Sequence, residues 1–320
     1  MVILEGEEKM VKQVEVPKRG DKLVQVANWY MNTDQFKRLS SGTQRDYESH
    51  LEAILNTKVQ NKYLGNFCCH NLRVLHIQQA YDQWLEKGQR TANYRRSVLS
   101  AMWKHAMRNE VVYTNPISLV KTISDKPRRV KWTREQVSTF LDTAYSDFKW
   151  RSIGLIVHMA YEWGQRIGDM RLLQWSSLTL NECRVDILQS KRNEEVHLPI
   201  SKGLCGMLRQ QKEDFGFQEY VAPRVKARAG AYTPYDKQEI SLYLNEILEK
   251  ANLPKELTAM DLRRTAVTEM MEGGVDLAGI MQVTGHKNTA SVKPYMVNTF
   301  SGASKALEAR GNKSGLSEED

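Results

Sequence analysis

The chain carries six side chains of the types that moving a phosphoryl group requires: Arg166, Asp169, Lys191, Arg263, His286 and Tyr295. An arginine fork bonds two oxygens of a phosphate at once and stays protonated at any working pH, so Arg166 and Arg263 can neutralise the non-bridging oxygens. A tyrosine phenol is both a competent nucleophile and a competent leaving group, which suits Tyr295 to a covalent phosphate ester. Lys191 can give a proton to a departing oxygen if positive neighbours lower its pKa, and His286 can hydrogen-bond the phosphate or help place the nucleophile. Asp169, three residues after Arg166, can orient that arginine without joining the chemistry. Taken singly, each has an ordinary reading: surface arginines, a capping histidine, a core tyrosine.

Their order and surroundings separate the two readings. Arg166 lies in Gly164-Gln165-Arg166-Ile167-Gly168-Asp169, followed by Leu172-Leu173; Arg263 and Arg264 stand beside Thr265; after Gly273-Gly274 comes Gly285-His286, and Tyr295 follows His286 by nine positions. As a set these segments resemble the two conserved boxes of the tyrosine recombinases, the phage integrase family. The resemblance runs from about residue 21 to 309, and is carried mainly by the two boxes. It implies that Tyr295 attacks a DNA phosphate to give a 3′-phosphotyrosyl link and a free 5′-hydroxyl, that Arg166, Arg263 and His286 hold the phosphate, and that Lys191 is the family's hairpin lysine, with no cofactor, metal or ATP. It also implies double-stranded DNA attachment sites as substrate, a tetramer on two duplexes, and accessory DNA-bending proteins as further partners. Two departures stand out: Met260 occupies the place of the usual family histidine three residues before the second arginine, and Pro294 directly precedes Tyr295, which pushes Lys293 away from helical geometry.

The elements that must position these residues are mostly helical. A mainly α (α+β) chain is expected: a small helical core DNA-binding domain (SAM-like), then a mostly helical catalytic domain with a small antiparallel sheet, of the DNA breaking-rejoining type. Residues 1–20 read as a flexible arm and residues 21–120 as four helices separated by turn residues. In the last of these, Leu99, Met102, Trp103, Ala106 and Met107 share one face, while Arg96, Ser100, Lys104 and Arg108 form a second stripe. Gln44, Arg45, Arg95, Arg96 and Lys104 are the expected phosphate or base contacts of this domain. Residues 121–131 form a basic connector around Pro127, in which Arg128, Arg129 and Lys131 are further expected DNA contacts. Residues 132–310 would be the catalytic domain and 311–320 an acidic tail. Thr133 with Gln136 reads as a capping box, flanked by Trp132 and Val137 as a hydrophobic staple. RVDIL and VHLPI read as a hairpin turning over at Lys191. Thr233-Pro234 reads as the start of a helix carrying Ile240, Leu244, Ile247 and Leu248, and residues 298–310 as a short amphipathic helix with Ala303, Ala306 and Leu307 apolar.

Composition agrees. A length of 320 residues suits two domains, and 46 Lys+Arg against 38 Asp+Glu give a formal charge of +8, which favours an anionic partner. No apolar run approaches the ~20 residues of a membrane span, so a cytoplasmic, nucleoid-associated protein is expected. Cys68, Cys69, Cys183 and Cys205 form no recurring Cys-x-x-Cys pattern, which speaks against a zinc site or a disulfide scaffold. Integration of phage or mobile-element DNA is the leading function. Resolution of replicon multimers by the same chemistry, topoisomerase-like relaxation and a DNA-binding relative that has lost catalysis are the alternatives.

Overall fold

The computed structural model describes residues 15–18, 20–124, 128–191, 193–293 and 300–314. They fall into two compact units divided between Lys126 and Pro127.

In the first unit, helices α1 (Leu23–Asn32), α3 (Ser41–Leu55), α4 (Val74–Glu86) and α5 (Gln89–Arg108) account for the four expected segments, with a single turn, α2 (Asp34–Lys37), after α1. A two-residue ladder, β1 (Lys58–Val59) against β2 (Lys62–Tyr63), lies between α3 and α4. Local chemistry sets these boundaries: Thr33 and Ser40 cap α2 and α3 by accepting from the amides of Phe36 and Thr43. The apolar face of α5 is buried at Leu99, Met102, Trp103 and Ala106 and joins Tyr30, Tyr81 and Trp84 in one core. The second stripe of α5 is not uniformly solvated: Lys104 and Arg108 are exposed, Ser100 is buried, and Arg96 Nη2 turns to the carbonyl of Ile117 at 3.0 Å.

The second unit begins with α6 (Arg134–Tyr145), where Thr133 and Gln136 form the expected capping box and Trp132 and Val137 both enter the core. Then follow α7 (Phe148–Glu162), the short α8 (Ile167–Met170), and an antiparallel sheet of β3 (Leu178–Thr179), β4 (Arg184–Gln189) and β5 (Glu194–Pro199) in the order β3-β4-β5. Strand β4 buries Val185, Ile187 and Gln189, alternate residues on one face. Helices α9 (Lys202–Phe215), α10 (Lys237–Lys250), α11 (Ala259–Glu272), α12 (Leu277–Thr284) and α13 (Phe300–Ser314) complete the unit. Helix α10 starts three residues later than Thr233-Pro234 suggested, because Asp236 and Glu239 form the capping box and satisfy the first amides there. The apolar positions of α13 do not face this chain's core: Ala303, Ala306 and Leu307 are exposed.

The connector is tied down at both ends. Ile123 receives hydrogen bonds on its carbonyl from Gln89 and Asn93, and its amide donates to Tyr81. Beyond residue 127, the Arg128 fork grips Asp261 at 2.9 and 2.8 Å, the Trp132 amide donates to Thr265 Oγ1 at 2.9 Å, and the Trp132 indole donates to the carbonyl of Thr258 at 3.1 Å. These four bonds sew residues 128–132 to the start of α11.

Candidate active site

Arg263 belongs to the second turn of α11, so its position depends on where that helix begins. Asp261 sets the beginning: its carboxylate accepts from the amide and hydroxyl of Thr258 and from Arg128 and Arg264. Burial alone would raise the Asp261 pKa, but the Arg128 fork and the Thr258 bonds outweigh it and hold the carboxyl below its ordinary value. One turn along, the Arg263 guanidinium is buried, 3% exposed. Its Nη1 donates to the carbonyl of Gly164 at 3.1 Å and its Nη2 to the carbonyl of Thr284 at 2.8 Å, with His286 Nε2 3.1 Å away.

His286 reaches that spot through a sharp turn. Helix α12 ends at Gly285, whose φ of +66° is open to glycine at little cost. The Thr284 hydroxyl donates to the carbonyl of Ile280 at 2.6 Å, which leaves its oxygen to accept from His286 Nδ1 at 2.6 Å. The single hydroxyl proton is thereby used, so Nδ1 carries the imidazole proton, and Arg263 Nη2 lies 3.1 Å from Nε2 and 3.3 Å from Nδ1.

Arg166 comes from the other box. Gly164, at φ +59°, turns the chain out of α7, and Arg166 becomes the extended residue that precedes α8. Its Nη1 donates to Gln189 Oε1 at 3.1 Å and lies 3.8 Å from Asp169 Oδ2. The hydrogen bonds of Asp169 go instead to the hairpin: Oδ1 accepts from the Ser190 amide at 3.1 Å and from its hydroxyl at 2.5 Å. The loop joining β4 to β5 is residues 190–193, closed by the Asn193 amide on the Gln189 carbonyl, and it presents Lys191 to solvent. Lys287, next to His286, pairs with Glu194 at the start of β5 at 2.5 Å. Two guanidinium groups and an imidazole are thus fixed by hydrogen bonds in one polar cluster, with an exposed lysine two residues beyond it. Such a set can clamp a phosphodiester and supply a proton beside it.

Tyr295 and Pro294 lie outside the described residues, which run to Lys293 and resume at Phe300. Met260, at the second position of α11, is 78% exposed. Of the expected DNA contacts, Arg45, Lys104 and Arg129 are exposed, while Gln44 spends its amide on the carbonyls of Lys37 and Leu39. Arg95 and Arg96 are half-buried. Arg128 is bound to Asp261, and Lys131 pairs with Glu272 at 3.2 Å. Sequence reasoning passed over Gln165, Gln189, Ser190 and Thr284. A signal existed for Gln189: Val185 and Ile187 set the inward phase of β4, and a polar residue two positions on must be buried.

Residues 131–301 match the model of the phage integrase family. Among curated relatives, tyrosine recombinase XerC of Bacillus pumilus is 23% identical over 231 residues, 69% of this chain and 74% of the relative. Tyrosine recombinase XerD of Ralstonia nicotianae is 24% identical over 215 residues, 64% of this chain and 68% of the relative. Among solved structures, a lambda integrase dimer bound to a COC' core site superposes with a TM-score of 0.70 at 19% identity, covering 86% of this chain and 77% of that one. A Tn1549 transposon integrase in complex with a circular intermediate DNA gives 0.73 at 16% identity, covering 90% and 99%.

Proposed function

The chain belongs to the phage integrase family, and from that premise we propose that it integrates phage or mobile-element DNA at short paired sites. It is a DNA strand transferase of the tyrosine recombinase type. Tyr295 attacks the scissile phosphate as its phenolic proton passes to water, the bond to the 5′-oxygen breaks, and the phosphate remains on the phenol as a 3′-phosphotyrosyl ester. Arg166 and Arg263 neutralise the two non-bridging oxygens, and Lys191 gives its proton to the departing 5′-oxygen. The 5′-hydroxyl of a second strand then reverses the step, so the bond energy is kept and neither ATP nor another cofactor is consumed. Met260 contributes no proton at the position of the usual histidine.

The observation that carries the reading is that Thr284 joins Arg263 and His286: its carbonyl holds one, its hydroxyl the other. The partner is double-stranded DNA, gripped by Arg45, Arg95, Arg96, Lys104 and Arg129, with a tetramer on two duplexes assembled through α13. Leu307 of that helix is 64% exposed, which suits docking on a neighbouring protomer; lambda integrase is known as a tetramer bound to a Holliday junction. Accessory DNA-bending proteins would complete the assembly. The alternative reading is resolution of replicon multimers by the same chemistry.

The test uses a nicked site, where the short fragment diffuses away after cleavage. Wild-type protein is expected to leave a protein–DNA band on a denaturing gel and Tyr295→Phe none, at near-normal DNA affinity. A band persisting with Tyr295→Phe would transfer the nucleophile to another residue. Sequencing the trapped DNA ends separates integration sites from multimer-resolution sites.

A further inference from the structure

Gln189 is fully buried, 0% exposed, as is Thr284 beside it, and both the oxygen and the nitrogen of its amide are hydrogen-bonded. Its Oε1 accepts from Arg166 at 3.1 Å; its Nε2 donates to Gln165 Oε1 at 2.6 Å and to the carbonyl of Thr284 at 2.8 Å. That carbonyl is the one that also receives Arg263. One amide and one carbonyl therefore connect the two guanidinium groups, Arg166 to Gln189 to Thr284 to Arg263. Gln165 extends the link by donating to the carbonyl of Val283 at 2.7 Å. The fit is tight: a methyl group on Gly285 would lie 2.5 Å from Gln189 Nε2.

Gln189 also ends β4, so the next residue, Ser190, starts the loop that carries Lys191. With Ser190 held on Asp169, the two residues before the lysine are both anchored to the Arg166 segment. We propose that Gln189 is a positioning residue: its amide sets the spacing between Arg166 and Arg263 and the place from which Lys191 leaves the sheet. This rests on the strand-transfer reading above for its effect on rate, but not for its effect on geometry. A misplacement of about 1 Å in a phosphate clamp costs roughly 10²-fold in rate.

Gln189→Met keeps the length and apolar volume and removes all three hydrogen bonds. At saturating DNA its single-turnover covalent capture of nicked site DNA should fall by about 10²-fold, with DNA affinity unchanged. In an Arg166→Lys background the same change should cost much less, because the residue acts through that arginine. A second readout needs no reaction: in DNA-free protein, the guanidinium NMR signals of Arg166 should broaden into fast rotation in Gln189→Met while those of Arg171 stay as they are. Wild-type capture rates, full additivity with Arg166→Lys, or unchanged Arg166 signals would each overturn the proposal. If the wild-type protein captured no DNA, the strand-transfer reading would fall, and the guanidinium signals would still decide the positioning role.

Discussion

The arginine–histidine cluster and the lysine loop are neighbours built on opposite principles. Arg263 and His286 are buried, and their partners come from the end of α7, from α11 and from the end of α12. The ordering cost of these side chains is met when the protein folds, so a phosphate meets donors already aimed. Lys191 stands in solvent on the loop between β4 and β5, which Ser190 and Asn193 anchor through their amides. The difference matches the two tasks. Holding charge requires fixed dipoles, whereas giving a proton to an oxygen that moves as the bond breaks requires a long side chain with freedom to follow.

The largest effects should break this contrast apart. Lys191→Ala should reduce cleavage by about 10²- to 10⁴-fold while stability stays within about 0.5 kcal/mol. Arg263→Ala should reduce it by about 10²- to 10³-fold and also destabilise the fold by about 2 kcal/mol, since the buried Gly164 carbonyl loses this donor and the Thr284 carbonyl loses one of its two. Single-turnover cleavage and urea denaturation on the same samples check both. A substrate with sulfur in place of the bridging 5′-oxygen, whose leaving group needs no proton, should restore the lysine variant and not the arginine one.

Next comes the foundation of α11. Asp261→Asn should destabilise by about 2–3 kcal/mol, because the Arg128 fork loses a buried, charged acceptor. The sign of the pH dependence follows from a carboxyl held below its ordinary value. The contribution is complete above the unfolded carboxylate pKa of about 4 and is lost as pH falls through the depressed folded value. The two proteins should therefore converge in stability in acid; a constant gap down to the lowest pH would contradict the assignment. Gly285→Ala follows at about 1–3 kcal/mol, from a left-handed backbone and the crowded Gln189 amide, and thermal melts would show it.

The smallest effects sort the basic side chains. Lys104→Ala and Arg129→Ala should each lower the salt slope of DNA binding by about 1. Arg128→Ala should instead act on stability, because its fork is already engaged with Asp261. A loss of slope equal to that of Arg129→Ala would show that Arg128 leaves Asp261 for DNA.

Elements that follow from local chemistry were legible in the sequence. The four long helices of the first unit, the Thr133–Gln136 capping box and the β4–β5 hairpin all follow from side-chain periodicity and from amides satisfied within a few residues. The start of α10 was misplaced because two neighbouring segments offered capping residues, and only Asp236 has its glutamate three residues on. The reactive side chains stood out by type and spacing, since a phosphate clamp and a nucleophile admit few alternatives.

The support beneath those side chains could not be read in the same way. Nothing in residues 128–132 says that Arg128 meets Asp261, 133 positions away, rather than a DNA phosphate. Nothing local couples Gln189 to Thr284 or Arg263 to Gly164. Sequence determined which groups are present and which short elements carry them, because helix periodicity, caps and turns are decided by nearest neighbours. Tertiary structure decided which of the positive charges are already spent and which remain to meet an anion, because a guanidinium takes whichever acceptor the fold brings within about 3 Å.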